Sequence, residues 1–203
     1  MSRRALLLLP LTLAACSVLP DRPNIPIRRF ALNPERDSRR AASRNAPVLL
    51  VRRVRGVPGL QELGLRVAAA DGSIAITPWD EWLAPPGDLA EAALRAWLQA
   101  SGLFTAVVPP GSRAEHSLVL EAQLTALEAA PGEARAGLAG VLLQERGLSS
   151  RVLLTFDLHG RAPLPAGGGA AAAAAAMQAA LGEAFRELER VFAVALAGAS
   201  AAR

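Results

Sequence analysis

The sequence predicts an α+β domain, a two-layer sandwich in which a mostly antiparallel sheet packs against two helices. Three observations carry this. Strand-like and helix-like segments follow one another in the order strands, helix, strands, helix. Three consecutive alternating segments separated by short turns read as an antiparallel meander. The length of 203 residues, 52% of them hydrophobic, suits a single domain with a substantial core.

The chain opens with a segment that stands apart from the domain. In residues 1–16, Arg3 and Arg4 form a basic start, Ala5 to Leu13 an apolar run, and Ala14 and Ala15 precede Cys16, the single cysteine. This is an export signal, too short to span a bilayer as a helix. From Ser17 to Ala46 the chain is rich in Pro (Pro20, Pro23, Pro26, Pro34) and Arg (Arg28, Arg29, Arg36, Arg39, Arg40, Arg44), a composition that buries little and favours an extended tether. Such a tether would reach about 100 Å stretched and about 30 Å as a coil. Ile27 to Leu32 interrupts it as an apolar spot able to dock as a short strand.

The folded region is expected to begin at Pro47, giving a division into residues 1–15, 16–46 and 47–198. Val48 to Val54, Leu63 to Ala68 and Ile74 to Thr77 read as strands, with Pro58-Gly59 and Asp71-Gly72 as turns. Residues 87–102 read as a helix with Asp88 and Glu91 as a capping box, Gly102 as the C-terminal stop, and Leu89, Ala93, Leu94, Trp97 and Leu98 on one face. Leu103 to Val108 follows as a strand. In the meander, Ser117 to Ala129 should turn Leu118, Leu120, Ala122, Leu124 and Ala126 one way. Leu138 to Glu145 comes next, and Val152 to Gly160 should turn Val152, Leu154, Phe156 and Leu158 inward. After a Pro/Gly stretch at 162–169, an Ala-rich helix runs to about Leu196. Its apolar stripe is Met177, Leu181, Ala184, Phe185, Leu188, Val191, Phe192 and Leu196; Glu183, Arg186, Glu187, Glu189 and Arg190 take the other side.

Chemistry-bearing motifs are sparse. One cysteine and two histidines exclude an intramolecular disulfide and a zinc cluster. The pI near 11 accompanies a net charge of only +4 with interspersed acids, without the clustered basic face that nucleic-acid binding needs. Gly167-Gly168-Gly169 lacks the lysine and preceding strand of a phosphate cradle and reads as a linker. Asp157 and His159 share an outward strand face, but no nucleophile in reach completes an acid-base site. His116 stands beside Glu115, and Asp80 and Glu81 flank tryptophans without a second carboxylate pair to hold a metal. Trp82 and Trp97 have apolar neighbours suited to a core; Trp79 is the aromatic most suited to a partner. No catalytic, cofactor or metal residue is assigned.

The Leu13-Ala14-Ala15-Cys16 ending resembles the bacterial lipobox, which implies cleavage before Cys16, a diacylglycerol on its thiol and an N-acyl chain such as palmitate on its amine. Cleavage removes two arginines and leaves a net charge of +2. Ser17, where Asp would signal inner-membrane retention in enteric bacteria, favours the outer membrane. With Phe30-Ala31-Leu32, the Val51 to Pro58 segment, Glu81-Trp82-Leu83-Ala84-Pro85 and the helix around Leu94-Arg95-Ala96-Trp97-Leu98, the chain resembles the ABC-type transport auxiliary lipoproteins, similar to the paraquat-inducible C-type (YmbA-like) lipoproteins. It departs from their pattern at Glu81, where Arg is usual, and in its Gly/Ala-rich 166–176 stretch.

The resemblance implies a lipid-anchored, non-enzymatic periplasmic component of an intermembrane lipid transport system. Its partner would be an MCE-domain protein and, through it, an ABC permease and ATPase, docked at the outer membrane. Phe30, Trp79 and Trp82 are the candidate partner contacts, and self-association is left open. The alternative is an outer-membrane assembly or cell-wall-associated structural lipoprotein; a periplasmic hydrolase using Asp157 and His159 comes third.

Overall fold

Three long strands of the meander organise the molecule. The computed structural model describes residues 24–147 and 149–201, so the export signal, the lipobox with Cys16, and Pro20 and Pro23 lie outside the described residues. The elements are β1 (Arg28–Phe30), β2 (Val48–Val51), β3 (Arg55–Gly56), β4 (Gly64–Ala68), β5 (Ile74–Trp82), α1 (Pro86–Ala100), β6 (Ala106–Val108), β7 (Leu118–Ala130), β8 (Glu133–Arg146), β9 (Ser149–Pro163) and α2 (Gly169–Ala201). The strands form one mixed sheet of nine, and the class is α+β as expected.

β7, β8 and β9 are antiparallel neighbours, as the alternation predicted, and β8 and β9 are longer than their periodic stretches. The other edge of β7 is shared along its length by β2, β3 and β4, all parallel to it. β6 joins β2 in parallel, with α1 between them in the chain as the crossover a parallel pair requires. β5 pairs antiparallel with β4, and β1 parallel with β5. The expected strand over Val48 to Val54 is therefore split: the chain follows β7 from β2 to β3, with Arg52 N–H bonded to Leu120 O at 2.9 Å and Val57 N–H to Leu124 O at 3.0 Å.

Two bulges shift the expected alternation. Leu124 faces Leu138 and Ala126 faces Gly137, so Thr125 is the extra residue. Leu124 and Leu127 both point into the core, and Ala126 is only half-buried. In β9, Leu154 pairs with Leu142 and Val152 with Leu143, which makes Leu153 the extra residue and turns Val152, expected inside, out to 55% exposure.

Leu120, Leu142 and Phe156 of the sheet meet Leu94 and Leu98 of α1 and Phe185, Leu188 and Phe192 of α2 in one core. Phe192 meets Phe156 and Phe104 edge-on, ring centroids 6.0 and 6.3 Å apart. Gly160 permits the close approach of α2, since a Cβ there would stand 1.9 Å from Ala180 O. Small residues on the helix, Ala180 and Ala184, complete that contact.

The start of α1 differs from the expected capping box. Pro86 occupies the first turn after Pro85, whose backbone begins the helix without a side-chain cap, and Asp88 lies inside that turn, where its charge suits the helix dipole. Glu91 instead accepts a hydrogen bond from Val54 N–H at 3.1 Å, satisfying a donor freed by the split between β2 and β3. Gly102, with φ +78°, follows the C-cap as expected.

Residues 31–46, expected to be tether, are laid across the domain as a strap. Leu32 is 1% exposed, Asn33 N–H donates to Gln178 Oε1 at 2.9 Å, and Arg40 N–H donates to Ala100 O at 2.9 Å. The cause is a set of specific long-range partners that composition does not reveal.

Candidate docking surface

The strap is fixed by a clamp at its middle. Arg36 places Nη1 and Nη2 at 2.5 and 3.0 Å from the two oxygens of Glu189, a bidentate pair. Its guanidinium lies 5.0 Å from the Trp97 ring centroid, and Trp97 Nε1–H donates to Glu189 Oε2 at 3.1 Å. Burial alone would raise the Glu189 carboxyl, yet Arg36, the Trp97 donor and Arg40 outweigh it and hold it below the usual carboxylate range. Glu189 was expected on the solvent side of its helix; the strap and Trp97 cover that flank. No sequence signal marks Arg36 as the partner of a residue 153 positions away.

At the other end of the strap, β1 pairs with β5 in the register Arg28 to Asp80 and Phe30 to Trp82. Arg28 Nε reaches Asp80 at 2.6 Å and Arg29 Nε reaches Glu81 at 3.4 Å, so the two acids flanking the tryptophans serve as ion-pair partners here. The register of β4 with β5 jumps from Gly64–Glu81 to Arg66–Ile76, inserting three extra residues in β5. Thr77 fills this bulge: its hydroxyl accepts from Leu65 N–H at 2.9 Å and donates to Asp80 O. Trp79 is displayed on the bulge at 45% exposure.

The three candidate aromatics therefore separate. Trp79 stands in solvent. Trp82 is 1% exposed, a core residue with no ring face to offer a partner, and Phe30 beside it is half-buried against the same core. Next to the bulge lies an apolar cleft of about 410 Å³ lined by Leu65, Val67, Pro131, Leu164 and Ala173, with Thr77 and Asp80 at its edge.

Each of the two histidines lies beside one carboxylate. His159 Nε2 is 3.4 Å from Asp157 Oδ1, both side chains about two-thirds exposed, opposite Gly137 and Ala139. The hydroxyl-bearing neighbour on that face, Thr155, lies four residues from His159, about 13 Å along the strand and beyond the carboxylate. His116, just before β7, pairs with Glu145 of β8 at 3.4 Å rather than with Glu115. Among the described residues no group of three His, Cys, Asp or Glu could hold a metal ion, and no helix is long and apolar enough to cross a membrane.

A family model described as "ABC-type transport auxiliary lipoprotein component" matches residues 30–189. No curated protein matches the sequence. Among solved structures, the fold is shared with a Xanthomonas campestris protein of the DUF330 family, 19% identical, over 84% of this chain and 98% of that one, with a TM-score of 0.68. It is shared also with an uncharacterised protein, 14% identical, over 81% of this chain and 97% of the other, with a TM-score of 0.61.

Proposed function

Because the chain belongs to the family of ABC-type transport auxiliary lipoprotein components, we propose that it is the lipid-anchored periplasmic component of an MCE-associated ABC system that moves lipid between the envelope membranes. The observation that carries this reading is the family match across nearly the whole described domain, joined to the lipobox-like Leu13-Ala14-Ala15-Cys16 ahead of it. Cys16 would carry the diacylglycerol and the N-acyl chain, several acyl chains making attachment effectively permanent. Ser17 after it favours the outer membrane.

The strap changes the mechanics of this anchor. The chain is paired to the sheet from Arg28, so the distance from Cys16 to the sheet is at most about 42 Å, against about 100 Å for a tether reaching Ala46. The domain is thereby held near its own membrane, and bridging the remaining periplasm falls to the MCE-domain partner. The exposed Asp157–His159 pair, with no nucleophile in reach, supports a binding role rather than catalysis.

Affinity purification from detergent-solubilised membranes tests the proposal. Recovery of an MCE-domain protein with its permease and ATPase is expected. Recovery of only outer-membrane assembly or cell-wall factors would favour a structural lipoprotein and contradict it.

A further inference from the structure

We propose that Ile25, Ile27 and Trp79 form a membrane seat, a patch that partitions into the headgroup layer of the same bilayer that holds Cys16. The inference rests on the anchor reading for its location and on the geometry of β1 and β5 for its substance.

All three side chains are large, apolar and close to half exposed, at 45%, 44% and 45%. Arg28 is in register with Asp80, so Ile27, the residue just before β1, comes next to Trp79 when the register is continued one step back; Ile25 lies two residues further towards the N-terminus. The bulge held by Thr77 presents Trp79 to solvent, and a tryptophan with an apolar body and a polar N–H favours a bilayer's interfacial zone.

The surrounding charges suit the same occupant. Arg29, which shares the Ile27 face by strand alternation, has a side chain 53% exposed against 20% for its partner Glu81, so its guanidinium is the more accessible of the pair and can meet lipid phosphate while its stem extends the apolar surface. Val67 and Leu164 of the neighbouring cleft add to the apolar character of this end.

Chain length decides between a bilayer and a distant partner. Ile25 is nine residues from Cys16, at most about 32 Å, so an acylated Cys16 keeps the patch permanently beside the lipid surface. Seating would fix the domain in one orientation, with β1 toward the membrane.

The single cysteine provides the test. The chain from Cys16 onward is coupled through that thiol to a maleimide-headgroup lipid in phosphatidylethanolamine/phosphatidylglycerol vesicles, with or without lipids brominated near the headgroup. Trp82 and Trp97, at 1% and 4% exposure, give a shielded background. Bromine should quench a large part of the Trp79 emission, identified by subtracting a Trp79→Phe sample. The Ile27→Ser variant, folded by circular dichroism, should be quenched several-fold less.

Equal Trp79 emission with and without bromine, or unchanged quenching in Ile27→Ser, overturns the seat. So does a photo-crosslinker at position 79 that captures protein and no lipid in cells. Because the coupling is chemical, failure of natural acylation at Cys16 is read separately, from membrane fractionation of the Cys16→Ser protein.

Discussion

The strap and the meander are two ways of holding a chain in place. β7 to β9 and α2 are held by long ladders, each interrupted by one bulge, and by a core in which Gly160 lets helix and sheet touch backbone to backbone. The strap has almost no regular structure. It is held by Leu32, by hydrogen bonds from the Asn33 and Arg40 N–H groups to the Gln178 side chain and the Ala100 carbonyl, and by the Arg36–Glu189–Trp97 clamp. Dense apolar packing spreads stability over many residues, whereas a strap concentrates it in a few.

The largest effect is expected in the packed region. Gly160→Val would force a side chain into the Ala180 backbone, destabilising the domain by about 3 kcal/mol and lowering Tm by about 9 °C in thermal unfolding. Next is the clamp. Glu189→Gln removes the charge that pairs Arg36 and should cost about 2 kcal/mol. Its clearer signature is local: trypsin should cut at Arg39 and Arg40 much faster than in the natural protein, at temperatures where the meander stays folded.

Acid should act on the same clamp. Glu189 has its carboxyl held below the ordinary value of 4.5, so its contribution is complete above that pH and is lost as pH falls through the depressed folded value. The Tm difference between the natural protein and Glu189→Gln should therefore be constant near neutrality and shrink below pH 4.5. The smallest effect belongs to the exposed pair: His159→Ala should change stability by no more than about 0.5 kcal/mol and leave partner recovery intact.

The same contrast explains what could be read from the sequence. Alternation and helical periodicity place the meander, both helices and the stripe from Met177 to Phe192, because burial on one face leaves a periodic trace. Bulges leave none, so the sides taken by Ala126 and Val152 shift in the structure. Trp79 is legible as an exposed aromatic and Trp82 as a core residue from its apolar neighbours, while the half-burial of Phe30 follows from a parallel β1–β5 pairing that no local pattern encodes. The strap is illegible for the same reason: an Arg-rich, Pro-rich stretch reads as tether until Glu189, Gln178 and Ala100 are known to lie beneath it.

The proposed acylation of Cys16 ahead of the docked strap is open to mass spectrometry of the N-terminal peptide from membrane-extracted protein. The expected result is a peptide that begins at Cys16 and carries a diacylglycerol and an N-acyl chain. A peptide that retains residues before Cys16, or an unmodified Cys16 in protein recovered from the soluble fraction, would contradict it.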